Sequence, residues 1–174
     1  MFLYIIITYF YQIYPSFINN YFFNVKISIG GYEMYENNLK YIREYMEMTQ
    51  KELGKVFNVT ESTYNGWETG RDVIPLKHLY KFSLIYGYSM DYLLKLNSKN
   101  IKYDKLDSID RKMVGNKLKR IRKDLNLTQQ QIADECMISQ TTYSNYELGN
   151  NLISTMSLYT ICKNHNISMD SIFK

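Results

Sequence analysis

The chain has 174 residues, of which 45% are hydrophobic and 22% are charged, and its formal net charge is +4. This composition suits one or two small domains and excludes collagen-like and acidic disordered proteins, and the positive charge hints at a polyanionic partner. The 2 cysteines and 2 histidines have no spacing that supports a zinc site or a multi-disulfide scaffold. We therefore expect no metal and no cofactor, and we expect Cys136 and Cys162 to be buried thiols in a reducing compartment.

The first 33 residues are apolar and aromatic. No charged side chain precedes Lys26, and a signal peptide would need a basic start and a small-residue cleavage site. Pro15 and the polar residues after it interrupt the stretch too early for a typical transmembrane helix, so a membrane anchor or an added soluble segment are the weaker alternatives. Codons for residues 29–31 can spell a bacterial ribosome-binding site shortly before Met34. We predict that translation starts at Met34 and that residues 1–33 are not native.

The rest of the chain is an internal repeat of two copies. Each residue of the first copy corresponds to the residue 79 positions later, so Leu39 corresponds to Leu118. Identical pairs include Thr-Gln at 49–50 and 128–129, Glu-x-Gly at 68–70 and 147–149, and Ser-Met-Asp at 89–91 and 168–170. The register holds without a gap to the chain end. We predict a first domain at 34–95, a polar linker at 96–108 and a second domain at 109–174.

Each copy predicts a string of about five short helices, because its apolar residues recur with helical spacing. Thr49 and Glu52 have the spacing of a capping box, and Thr128 and Gln131 repeat it. Further helix caps are expected at Thr60, Ser89 and Ser168. No convincing strand periodicity occurs after residue 33. The predicted fold is therefore all-α, with two compact bundles.

The second and third helices of each copy are joined by a short turn, which is the arrangement of a helix-turn-helix. In the first copy, the second helix is expected to bury Leu53 and Val56. The third helix should bury Tyr64 and Trp67 and should end near Gly70, a residue type that favours the left-handed conformation after a helix. Small helical hairpins occur in many bundles, so this geometry alone does not assign a function.

The repeated pattern is more specific: T-Q-x-x-(L/I)-(G/A), followed by (V/I)-(T/S)-x-x-T-Y-x-x-(W/Y)-E-x-G. It resembles the Xre/lambda-repressor-like family of helix-turn-helix domains over residues 38–94 and again over 117–173. The resemblance implies two tandem lambda-repressor-like bundles of five helices. It also implies sequence-specific binding of double-stranded DNA, most often by a transcriptional regulator.

By this resemblance, the third helix of each copy enters the major groove, and its outward side chains contact bases. Those candidates are Glu61, Ser62 and Asn65 (beside Gly66) in the first copy, and Gln140, Thr141, Ser144 and Asn145 in the second. Candidates for phosphate contacts are Gln50 and Gln129 at a helix start, and Arg43, Lys119, Arg122 and Lys123 on the helix before it. On the surface of a helix that binds nothing, the same polar residues would only help to keep the protein soluble. Glu68 and Glu147 are expected to form hydrogen bonds within their domains.

The two copies differ in charge. Residues 34–97 carry 8 basic and 8 acidic side chains, whereas residues 98–174 carry 12 basic and 8 acidic ones. Copy one also starts its third helix with Glu61 and has Gly66 where copy two has Asn145. We expect copy two to dominate the affinity for DNA, and copy one to read a different half-site or to contact a protein.

The leading prediction is a cytoplasmic bacterial repressor that binds double-stranded DNA. It would act as a homodimer or as an intramolecular pseudo-dimer, since the linker can extend to roughly 43 Å and half-sites lie about 34 Å apart. No Walker, H-E-x-x-H or G-x-S-x-G motif is present, so we do not expect an enzyme. The alternatives are a protein-interaction module, such as an antitoxin or an antagonist of another regulator, and a membrane-tethered regulator if residues 1–33 are translated.

Overall fold

The computed structural model describes residues 36–101 and 108–173, which belong to one compact unit. Within these ranges the secondary structure is entirely helical, which confirms the predicted all-α fold. The predictions for residues 1–33, and for residues 102–107 of the linker, lie outside the described residues.

The helices fall into two repeated sets. The first set is α1 (Leu39–Tyr45), α2 (Gln50–Phe57), α3 (Glu61–Glu68), α4 (Leu76–Tyr86) and α5 (Met90–Leu93). The second set is α6 (Arg111–Asp124), α7 (Gln129–Glu135), α8 (Gln140–Glu147), α9 (Thr155–His165) and a 3-10 helix (Asp170–Phe173). The helix α6 has 14 residues where its counterpart α1 has 7. The two copies of the predicted sequence repeat therefore fold into corresponding sets of helices.

Side-chain caps fix the starts of α2 and α7. The hydroxyl of Thr49 accepts from the main-chain nitrogen of Glu52, and the carboxylate of Glu52 accepts from the nitrogen of Thr49 at 2.7 Å. Thr128 and Gln131 form the same box, with a return bond of 2.8 Å. Each box satisfies two N–H groups that a helix start leaves unpaired. Both predicted capping boxes are confirmed.

The prediction that Ser168 caps the last helix is wrong. Ser89 does cap α5, because its Oγ accepts from the nitrogen of Tyr92 at 3.2 Å. After Ser168 the chain forms a 3-10 helix, in which the nitrogen of Ser171 bonds to the Ser168 carbonyl at 3.2 Å. The N–H group that a capping hydroxyl would use is thus already taken. Among the described residues, the buried Oγ of Ser168 has no hydrogen-bond partner.

The first core is centred on the aromatic ring of Phe57. This ring stacks on Tyr64 at a centroid distance of 6.2 Å and on Phe82 at 5.5 Å. Phe57 is 2% exposed, whereas Val56 is only half-buried, so the prediction that Val56 faces the core is wrong. The reason is helical geometry: Phe57 lies four residues after the buried Leu53 and shares its face more closely than Val56 does.

Both cysteines are free thiols. Cys162 is buried as predicted, but Cys136 is half-buried, so the prediction holds fully only for Cys162. Burial raises the pKa of the Cys136 thiol to about 12 and raises that of Cys162 as well. Both thiols therefore stay protonated at neutral pH, which makes them poor nucleophiles.

We expect one hydroxyl group in the core of the second copy to add nothing to the free energy of unfolding. Tyr143 is fully buried, and in the described part of the chain its hydroxyl has no hydrogen-bond partner. Tyr143→Phe removes this group, so the free energy of unfolding should stay unchanged or rise by up to about 1 kcal/mol. Urea denaturation tests this, with the exposed Tyr45→Phe as control. A loss above that size would show that the hydroxyl is bonded in solution.

Candidate nucleic-acid interface

The helix pairs α2–α3 and α7–α8 are joined by tight turns. Asn58, which ends α2, is left-handed with a φ of 57°, and Met137 repeats this conformation with a φ of 54°. Gly54 packs against the turn, because a Cβ at Gly54 would lie 3.0 Å from the carbonyl oxygen of Val59. Its counterpart is Ala133. A larger side chain would push the two helices apart, which explains the small residue in the repeated pattern.

A buried carboxylate ties three helices of each domain together. Glu68 accepts from Arg43 Nε at 2.5 Å and from Gln50 Nε2 at 2.7 Å. In the second domain, Glu147 accepts from Arg122 Nε at 2.5 Å and from Gln129 Nε2 at 2.7 Å. Their side chains are only 1% and 2% exposed. The predicted structural role of Glu68 and Glu147 is therefore confirmed.

Four of the predicted phosphate contacts belong to this network: Arg43, Arg122, Gln50 and Gln129. Each arginine side chain is 13% exposed and also donates to a main-chain carbonyl of its own domain. The hydrogen bond to its glutamate raises the pKa of each arginine, which keeps it charged. These side chains position α3 and α8, and the phosphate contacts assigned to them stay predictions.

The other two phosphate candidates are open to solvent. Lys119 and Lys123 are exposed on α6, one helical turn apart. They share this helix with Arg120, whose pair with Asp124 is long, at 3.8 Å, and exposed on both sides. The surface of α6 is therefore accessible to a polyanion.

The outward face of α8 carries the candidates of the second domain. Thr141 is exposed, and Gln140, Ser144 and Asn145 are half-buried. Gln140 Nε2 donates to Gln129 Oε1 at 2.7 Å, so the buried network extends as far as this side chain. Asn145 Oδ1 accepts from Asn150 Nδ2 at 3.0 Å. Both amide side chains are thus held in one orientation at the surface.

The outward face of α3 is built differently. Glu61 and Ser62 are exposed, and Asn65 Oδ1 accepts from Gln50 Nε2 at 3.1 Å. Gly66 is buried, although the sequence placed it on the outward face. The cause is the pair of Asp72 and Arg71, because the Asp72 carboxylate and then the Arg71 guanidinium are the groups nearest to the position of a Gly66 Cβ.

Arg71 is the functional candidate that the sequence analysis missed. Its Nη2 donates to Asp72 Oδ2 at 3.0 Å and to the carbonyl of Ser62 at 3.3 Å, and its side chain is 49% exposed. A Cβ on Gly66 would lie 2.7 Å from this Nη2. The signal in the sequence was the pairing of two differences between the copies. Copy one loses a side chain at Gly66 and gains a guanidinium at Arg71.

Two family models match this arrangement. A model described as helix-turn-helix matches residues 39–93, and one described as helix-turn-helix domain matches residues 115–174. The chain is a tandem pair of Xre-type helix-turn-helix domains. The match confirms the predicted resemblance and places a helix-turn-helix in each copy. From here on we call the two copies the first and second helix-turn-helix domains. We call α3 and α8, which the resemblance predicts to enter the major groove, their reading helices.

Two solved structures are similar to part of this tandem helix-turn-helix chain. Both are crystal structures of the clp gene regulator ClgR from Corynebacterium glutamicum, at 23% identity. The match to one covers 38% of this chain and 86% of that chain, with a TM-score of 0.34. The match to the other covers 37% and 68%, with a TM-score of 0.35. None of the curated proteins gives a significant sequence match.

Two kinds of feature are absent from the ranges that the structure describes. No cluster of His, Cys, Asp and Glu side chains there is arranged to hold a metal ion. No helix there is both long and apolar enough to span a lipid bilayer.

Proposed function

We propose that this chain is a sequence-specific transcriptional regulator that binds double-stranded DNA through α3 and α8. The observation that best supports this is the hydrogen-bonded chain from buried Glu147 through Gln129 to Gln140. These hydrogen bonds fix the side chain of Gln140 at the start of α8. A polar residue that served only to keep the surface soluble would not need to be held in one orientation. Every described helix belongs to one of the two domains, so we propose that regulation comes from occupying the operator, as a repressor does. Such a protein works where the DNA is, in the cytoplasm.

In the second domain, Gln140 and Asn145 are the proposed readers of adenine. The Nε2 group of Gln140 has a second N–H beyond the one that it gives to Gln129. That N–H and the amide carbonyl match the N7 acceptor and the N6 donor of adenine. Thr141 is exposed beside Gln140, and its methyl group suits contact with the methyl group of thymine.

In the first domain, Arg71 takes the place of the side chain that Gly66 lacks. Asp72 holds the Nε and Nη2 side of the guanidinium, at 3.1 and 3.0 Å. Within the described residues, Nη1 makes no hydrogen bond, so its N–H groups are available to the guanine O6 and N7 acceptors. A guanidinium fixed in advance loses little conformational entropy on binding.

The proposal is tested by selection from a pool of randomised DNA duplexes at two salt concentrations, with purified protein. One enriched motif whose binding weakens steeply with salt is expected. If no motif is enriched at low salt, the proposed function is wrong. A pull-down of protein partners would then test the alternative.

Removing Lys119 and Lys123 together should reduce the salt dependence of binding. If each neutralises one phosphate, the slope of log K against log salt should become shallower by about 0.9 per lysine, or about 1.8 in all. Fluorescence anisotropy at several salt concentrations measures this slope. Lys163→Ala, which removes an exposed charge near the end of α9, is the matched control. An unchanged slope in the double variant would remove α6 from the proposed interface.

A second candidate function is protein interaction through the first domain. Tyr41 and Tyr45 on α1 are 60% and 73% exposed, and they stand where the second domain has Arg120 and Asp124. Exposed tyrosines are typical of protein interfaces, whereas an acid–base pair is typical of a solvated helix. If this is their role, replacing both tyrosines should abolish partner capture and leave DNA binding intact.

A further inference from the structure

The last short helices of the two domains exchange hydrogen bonds across the chain. Asp170 Oδ1 accepts from the nitrogen of Met90 at 3.0 Å, and Asp170 Oδ2 accepts from the nitrogen of Asp91 at 3.1 Å. In return, Asp91 Oδ1 accepts from the nitrogen of Met169 at 2.8 Å. Both aspartates are buried, at 6% and 0% exposure. These bonds join the two domains through residues that lie 78 to 80 positions apart in the chain.

These bonds satisfy groups that a helix start leaves unpaired. The first N–H groups of a helix have no partner within it, and a negative charge beside them is favourable. Each domain therefore supplies a carboxylate that completes the helix start of the other. These bonds offset part of the cost of burying the two polar side chains.

The exchange is reciprocal. The repeat offset carries Met90 onto Met169 and Asp91 onto Asp170, so the bond from Met90 to Asp170 is the equivalent of the bond from Met169 to Asp91. A contact in which each side uses the same residues is isologous, and it defines a twofold axis. The two domains are therefore related by an approximate twofold axis within one chain.

The loops that follow the reading helices meet at the same axis. Residues 73–77 and 152–156 are equivalent in the repeat, and each range ends a loop and begins the next helix. Members of both ranges line one shared surface depression. Thr155 Oγ1 donates to the carbonyl of Ile74 at 2.6 Å, and the rings of Tyr80 and Phe173 lie 5.0 Å apart. The segments that follow the C-terminal ends of α3 and α8 therefore lie at the axis.

We infer that one chain binds an operator of two half-sites that are inverted relative to each other and unequal in sequence. This inference rests on the proposed function. The twofold relation sets the inverted orientation, whereas two tandem domains without it would equally suit a direct repeat. The inequality follows from the outward side chains, which are Glu61, Ser62 and Arg71 in one domain and Gln140, Thr141 and Asn145 in the other. No second subunit is needed, because the partner domain is always present at high effective concentration.

The test is to make the two reading surfaces equal in the full chain. The variant carries Glu61→Gln, Ser62→Thr, Asn65→Ser, Gly66→Asn, Arg71→Asn and Asp72→Asn, which copies the second domain onto the first. Selection from randomised duplexes should then yield a palindrome, whereas the original chain should yield two unequal half-sites. A direct repeat or a single half-site would overturn the inference. No enrichment by the original chain would overturn the proposed function instead.

A second measurement needs no altered reading surface. Lys51→Cys and Gln130→Cys, at equivalent exposed positions near the starts of α2 and α7, are each labelled with an iron chelate that cleaves DNA. The cleavage positions should be symmetrical about the centre of the selected operator, and cleavage related by a simple shift along the DNA would contradict the inference. Native mass spectrometry of the complex should show one chain per duplex, and two chains would overturn the inference.

Discussion

Replacing Glu147 with alanine is expected to lower the free energy of unfolding by about 3–5 kcal/mol, the usual cost of removing one partner of a buried ion pair. The substitution leaves the guanidinium of Arg122, 13% exposed, without the carboxylate that binds it at 2.5 and 3.0 Å. Gln129 Nε2 loses its acceptor at the same time. Urea denaturation followed by circular dichroism at neutral pH measures the loss.

The matched control for this substitution is Asp124→Ala. Asp124 also pairs with an arginine, but the two side chains are 71% and 79% exposed and lie 3.8 Å apart. Water screens such a pair, so the change in stability should stay within about 0.5 kcal/mol. Similar losses in the two variants would mean that water reaches Arg122 and that the network contributes little.

The second large effect is expected from Asp170→Ala. The variant removes the acceptor of two main-chain N–H groups at the start of α5, those of Met90 and Asp91. Each unsatisfied buried N–H costs about 1–3 kcal/mol, so we expect a loss of about 2–4 kcal/mol in the free energy of unfolding. We do not expect a larger loss in the free energy of unfolding, because the two domains can separate and let water reach these N–H groups.

Asp110→Ala is the control for the loss of a helix-capping aspartate. Asp110 caps α6 within its own domain, with an exposed bond of 2.8 Å to the nitrogen of Lys112, so the loss should be nearer 1 kcal/mol. Hydrogen exchange should show faster exchange at Met90 and Asp91 only in the Asp170 variant. Equal protection of these amides in both variants would contradict the role assigned to Asp170.

The features that the sequence predicted well depend on near neighbours in the chain. Capping boxes such as Thr49 with Glu52 need residues three apart, and the ends of the helices follow from glycine and polar residues at fixed positions. The structural role predicted for Glu68 and Glu147 follows from their position at the end of the third helix, and the repeat places both at the same position. The prediction at Val56 was wrong by one position, since the buried residue is Phe57. A short amphipathic pattern does not separate two neighbouring apolar residues.

The features that the sequence did not predict depend on distant contacts or on side-chain conformation. Asp91 and Asp170 belong to the repeated Ser-Met-Asp tripeptide, but nothing local shows that each carboxylate reaches the opposite domain. Arg71 lies after the reading helix, and only the folded chain shows that it turns back over Gly66. The predicted base and phosphate contacts also need the DNA itself, so they stay predictions.

The separate encoding of α3 and α8 has a consequence for how recognition changes over generations. In a symmetrical homodimer, one codon specifies the same side chain in both reading helices, so a single mutation alters both halves of the operator together. Here Gln140 and its counterpart Glu61 are specified by different codons. A single mutation therefore alters one reading surface and leaves the other unchanged. If the two domains read DNA as proposed, binding specificity can change in one half-site at a time, while the unchanged domain keeps the protein bound.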